Sequence, residues 1–69
     1  MELIRDCLGR VVCKGDASSG FIEIRYRGLT VQAILAIGDS YTVERENIVT
    51  TITRTSKLRF SVSSCRKAA

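Results

Sequence analysis

Three short stretches and three scattered cysteines of this 69-residue sequence carry the functional groups that chemistry needs. Glu44 and Glu46 are spaced as a carboxylate pair, but they flank Arg45 in the polar run "ERENI", which reads as a hairpin tip open to water. A solvated carboxylate keeps its ordinary acidity and has no preorganised pocket in which to move a proton. "GDS" at Gly38 to Ser40 sets a hydroxyl beside an acid, yet the chain contains no histidine to activate it, so the triplet reads as a β-turn. "DASSG", Asp16 to Gly20, has the small residues of an anion-binding loop without its lysine or a following helix, and reads as a connector. Cys7, Cys13 and Cys65 are odd in number with no C-x-x-C pair, which fits neither a disulfide framework nor a zinc site. The sequence predicts no catalytic residue, no metal, no cofactor and no small-molecule substrate.

What remains is positive charge. Eleven bases against seven acids give a net charge of +4, and along the chain the excess is lopsided. Residues 1–46 hold six bases and seven acids, whereas residues 47–69 hold Arg54, Lys57, Arg59, Arg66 and Lys67 with no acid. Such an asymmetry favours anionic partners. Alternation along "FIEIRYR" puts Phe21, Arg25 and Arg27 on one outer face, and Lys57 and Arg59 are expected on the outer face of the last strand. Arginines beside an exposed aromatic are the ingredients by which single-stranded nucleic acid is held, through phosphate attraction and base stacking. The candidate nucleic-acid-binding residues are therefore Phe21, Arg25, Arg27, Arg54, Lys57, Arg59, Arg66 and Lys67. Glu23 lies in the middle of that face, where it can pair with a neighbouring base and neutralise it.

The elements that must position these residues are short strands. The chain has no proline, is rich in Val, Ile and Thr, and is broken by glycine at positions 9, 15, 20, 28 and 38. "RVVCKGD" and "FIEIRYR" read as strands, the second with Ile22, Ile24 and Tyr26 inward, and Cys13 is expected in the core, on the face opposite Val12. "LTVQAILAI", Leu29 to Ile37, is apolar on both sides and reads as a strand covered on both faces, although Ala-Ile-Leu-Ala also suits a short helix. "YTVER" follows, with Asn47 suited to a left-handed position in the next turn. The terminal hairpin is expected to turn through Thr55 to Lys57, pairing Ile52 with Phe60 and Arg54 with Leu58, so that Ile48, Ile52, Leu58, Phe60 and Val62 share one side. Thr51 and Thr53 then point to the other.

Together these predict an all-β fold: a small antiparallel barrel or curled sheet of five to six short strands, of SH3-like or OB-like size, with no long helix. One domain spans 1–64, followed by a short basic tail at 65–69. Free thiols, no secretory apolar region at the N-terminus and no apolar run near the roughly 20 residues of a membrane-spanning helix predict a cytoplasmic protein. The function expected is a non-catalytic β module binding RNA, DNA or another polyanion. The alternative is a self-associating or protein-interaction module, since a chain of this size buries only roughly 60% of its unfolded surface and often gains stability as a homo-oligomer.

Overall fold

The computed structural model describes residues 1–67. The chain forms seven strands, β1 (Glu2–Arg5), β2 (Val11–Asp16), β3 (Phe21–Tyr26), β4 (Leu29–Ile34), β5 (Ser40–Arg45), β6 (Ile48–Ser56) and β7 (Arg59–Arg66), with no helix among the described residues. They pair only with their sequence neighbours. β1-β2-β3-β4 make one antiparallel sheet and β5-β6-β7 a second, facing each other across a shared core. The all-β expectation holds, while the closed barrel is replaced by two open sheets, and the strand count rises to seven because Glu2–Arg5 pairs with β2. Residues 29–34 are strand, so the helical option for this segment is excluded there.

The core is small. Ile4, Val12, Cys13, Ile22, Ile24 and Leu35 from the first half meet Ile52 from the second, with Ala33, Tyr41, Val43 and Phe60 packed around them. Val12 and Cys13 are neighbours and yet both are buried, against the alternation expected of them. The β1–β2 pairing steps from Ile4↔Cys13 to Arg5↔Val11, so Val12 is the extra residue of a bulge and turns inward with its neighbour. β6 is the central strand of its sheet and alternates strictly, with Ile48, Thr50, Ile52 and Arg54 buried.

The terminal hairpin differs from the expected register. Ile52 pairs with Val62 and Arg54 with Phe60, a bulge falls at Thr55, and Ser56↔Arg59 closes a two-residue Lys57-Leu58 turn. Ile48, Ile52, Phe60 and Val62 share the inner side as expected, but Leu58 is lifted out of it and is 87% exposed. Sequence pattern alone could not place the bulge, because Thr55 and Ser56 suit either strand or turn. Of the expected tail, Cys65 and Arg66 belong to β7, the Lys67 N–H donates to the Asn47 carbonyl, and residues 68 and 69 lie outside the described residues.

Candidate polyanion-binding end

Arg54 is the largest departure from the expected site. Its position on β6 follows the inward face of Ile48 and Ile52, and it is 9% exposed. Nε donates to the Ala17 carbonyl, Nη1 to Leu35 and Nη2 to Ser18, each at 3.0 Å. The planar guanidinium thus ties the β2–β3 turn and the β4–β5 link to the second sheet, a use for which a fixed fork of donors is suited. Gly20 admits this approach: a Cβ there would lie 2.0 Å from the Leu35 carbonyl oxygen and 3.0 Å from Arg54 Nη1, and φ is +80°. Arg54 is a structural tie and has no surface to offer a ligand.

The other expected bases divide between opposite ends of the molecule. In paired meanders alternate turns fall at the same end. The β2–β3 turn, the β4–β5 link and the β6–β7 turn meet at one end, through Arg54 and through the shallow groove that Lys57 and Leu58 share with Glu2, Asp16 and Ser18. Lys57 and Arg59 belong there. Arg25, Arg27, Arg66 and Lys67 belong to the other end, where the β1–β2 loop, the β3–β4 turn, the β5–β6 turn and the end of β7 meet. Phe21 is half-buried at the far end of β3 from Arg27, opposite Asp16 and Ile34.

Three arginines that the charge distribution along the chain left unnoticed complete this end. Arg10 bridges Asp6, at 3.1 Å, and Glu46, so it joins the first loop to the tip of β5–β6. The Glu46 hydrogen bond raises its already high pKa, against the opposing effect of burial. Burial opposes ionisation of Asp6, but N–H donors from Arg10 and Leu8 and the Arg10 guanidinium hold its carboxyl below the ordinary range. Arg45 stacks on the Tyr26 ring with its guanidinium carbon 3.9 Å from the centroid, and Arg27 approaches the same ring at 5.2 Å. Arg5 donates to the Gly9 carbonyl at 2.8 Å.

Two hairpin tips shape the surface. Arg27 and Gly28 have φ of 50° and 80°, Glu46 and Asn47 φ of 51° and 67°. Both are two-residue turns with left-handed backbone at each position, the type whose twist matches the flanking strands. Asn47 occupies the conformation expected of it, and Arg27 is carried out of the strand face onto a turn.

This end carries Arg5, Arg10, Arg25, Arg27, Arg45, Arg66 and Lys67 against Asp6, Glu44 and Glu46. Seven bases less three acids leave an excess of four, the net charge of the whole chain. The other four bases, Lys14, Arg54, Lys57 and Arg59, meet four acids, Glu2, Asp16, Glu23 and Asp39. Glu23 draws on the positive end: it accepts from Gln32 at 3.3 Å and from Arg25 at 3.4 Å, the neutralisation expected of it, and counting it there leaves an excess of three. Lys67 pairs with Glu44 at 2.9 Å. Arg5, Arg27 and Arg66 are exposed with no carboxylate at salt-bridge distance among the described residues.

Among the described residues no cluster of cysteines and carboxylates is arranged to hold a metal ion. Comparison of the chain with protein families, with curated proteins and with solved structures finds no match to any of them.

Proposed function

We propose that the protein is a non-catalytic module that binds the phosphate backbone of nucleic acid with its arginine-rich end. The observation that carries this reading is the concentration of most of the molecule's charge excess, three to four charges, at one end of the paired sheets. Arg27 and Arg66, and Arg5 with the donors left after its bond to the Gly9 carbonyl, can donate to phosphate oxygens, and Lys67, in an exposed pair with Glu44, can exchange a carboxylate for a phosphate at little cost. Base stacking has no support at this end. Phe21 lies at the other end of its strand, and Tyr26 is covered by Arg45. The binding is therefore read as sequence-independent, driven by charge and release of counterions.

The test is fluorescence anisotropy with labelled single-stranded and duplex oligonucleotides across a salt series. With three to four phosphates neutralised on a duplex, the logarithm of the binding constant should fall with that of salt at a slope of roughly −3 to −4. Arg27→Glu with Arg66→Glu should abolish binding at physiological salt, while Lys57→Glu with Arg59→Glu, at the opposite end, should leave the slope unchanged. Binding that ignores salt, or that fails only in the Lys57/Arg59 pair, would overturn the reading.

A further inference from the structure

Four strands lie at sheet edges: β1, β4, β5 and β7. Free edges offer unpaired N–H and C=O groups to any other strand, and proteins protect them with charges, bulges or proline. β1 carries Glu2 and Arg5 and lies against the bulge at Val12 of β2, β5 carries Glu44 and Arg45, and β7 carries Arg59 and Arg66 beside the bulge at Thr55. β4 has none of these devices. "LTVQAI" has no charge, pairs with β3 without irregularity, and belongs to an uncharged run from Leu29 to Gly38 in a chain that is 26% charged. Nor is it covered as its sequence led one to expect: Leu29 and Ile34 are each 73% exposed, and Val31, on the inner side opposite Ile24, is also exposed.

The residues whose backbone faces outward follow from the turn. The two-residue Arg27-Gly28 loop makes Tyr26 and Leu29 the hydrogen-bonded pair that closes the hairpin, and such pairs alternate along antiparallel strands. The Leu35 N–H donating to Gly20 at 2.8 Å keeps the same phase at the other end of β4. Thr30, Gln32 and Ile34 therefore carry the free N–H and C=O groups.

We infer that β4 is a self-association edge, pairing antiparallel with β4 of a second copy about a twofold axis at Gln32. This register alone uses all three free residues completely. Gln32 meets Gln32 of the second copy and Thr30 meets Ile34 in both directions, giving two hydrogen bonds in each of three pairs. Val31 then faces Ala33 across the inner side, extending the apolar surface exposed there. On the outer side the two Gln32 amides sit between the Glu23 carboxylates, each already held by Arg25, so no uncompensated like charges meet. A second copy fits where a charged partner does not, since the edge has no charge with which to recognise one. The two four-stranded sheets become one sheet of eight, with the arginine-rich ends pointing in opposite directions.

The experiment is sedimentation equilibrium of the nucleic-acid-free protein over a wide concentration range, so its outcome is independent of the phosphate-binding reading. A monomer–dimer equilibrium is expected. Gln32→Lys puts two ammonium groups across the axis, exchanging in the monomer the Gln32 hydrogen bond to Glu23 for a cation beside the same carboxylate, and should weaken dimerisation by roughly a hundredfold. Thr42→Lys, on the second sheet, should not. In a Cys7→Ser/Cys65→Ser background, Gln32→Cys should oxidise to a covalent dimer, since hydrogen-bonded antiparallel partners lie about 5.5 Å apart at Cα, within disulfide reach. Thr30→Cys, facing Ile34, should cross-link far more slowly. A protein that stays monomeric throughout, or a dimer indifferent to Gln32→Lys and not trapped by Gln32→Cys, would overturn the inference.

Discussion

Replacing Arg54 by methionine keeps most of the side-chain volume and removes the three donors that hold the Ala17, Ser18 and Leu35 carbonyls. Hydrogen bonds from a charged donor contribute about 1.5–3 kcal/mol each. The full sum is not expected. Ala17 and Ser18 lie in a turn that water can reach, and loss of the guanidinium also removes the cost of burying a charge. The Leu35 carbonyl oxygen, by contrast, is left orphaned in the core at about 1–3 kcal/mol. A net loss of about 3–4 kcal/mol is expected, against a total of about 3–10 kcal/mol for a domain of this size. Urea unfolding followed by circular dichroism reads this directly: with a slope of about 1 kcal/mol per molar, the midpoint should fall by about 3–4 M. Should the variant be unfolded from the start, Arg54→Lys, which retains a charge and fewer donors, should fall between it and the parent. A midpoint unchanged to within about 0.5 kcal/mol, the behaviour of an ordinary surface position, would refute Arg54 as a structural tie.

Acid should unfold the protein in a defined window. Asp6, Asp16 and Glu23 all have pKa values below their ordinary 3.8 and 4.5, Asp16 chiefly through Ser18 and Glu23 chiefly through Gln32. Depressed carboxyl values give stability that is complete above the unfolded-state values and is lost progressively as pH falls from there through the lower folded-state ones, so the thermal midpoint should be flat near neutrality and drop below about pH 4. Asp6→Asn should lower stability at pH 7 and flatten that acid slope; an unchanged slope would contradict the role given to Asp6. Burial pushes the Cys13 thiol up to about 11, whereas Cys7 and Cys65 are exposed. Maleimide at pH 7.5 to 8 should therefore add to two thiols in the native protein and to three in denaturant, and rapid addition to Cys13 in the native state would show that the core is open.

The strands were legible because β-branched residues alternate between glycine punctuation, and the inward set of Ile22, Ile24, Ile48 and Ile52 follows from that alone. Edge β1 was not, since four residues with two charges carry too weak a pattern to separate from a loop. The site was half legible. Along the chain the unopposed positive charge gathers in the C-terminal third, whereas charge acts through space and the meanders sort it by turn. Odd-numbered turns fall together, and Arg10, Arg27 and Arg45 each lie within two residues of one; Lys57 lies on an even-numbered turn and is carried away from them. Arg54 departs from the expected surface for a different reason. Its parity with Ile52 puts it inside, but an arginine is seldom buried unless its donors are satisfied, and the carbonyls that satisfy it come from residues 17, 18 and 35, invisible to any local reading.

Because every strand pairs only with its sequence neighbour, assembly of this chain divides into two timescales. Each hairpin closes a short loop, a microsecond event, and neither sheet needs a strand from the other to complete its ladder. What remains is the meeting of two preformed surfaces, in which Ile52 reaches the first sheet's isoleucines and Arg54 engages carbonyls up to 37 positions earlier in the chain. Contacts made last resist escape without hastening arrival. The guanidinium tie should thus set how long a folded molecule survives and have little influence on how quickly a new one forms.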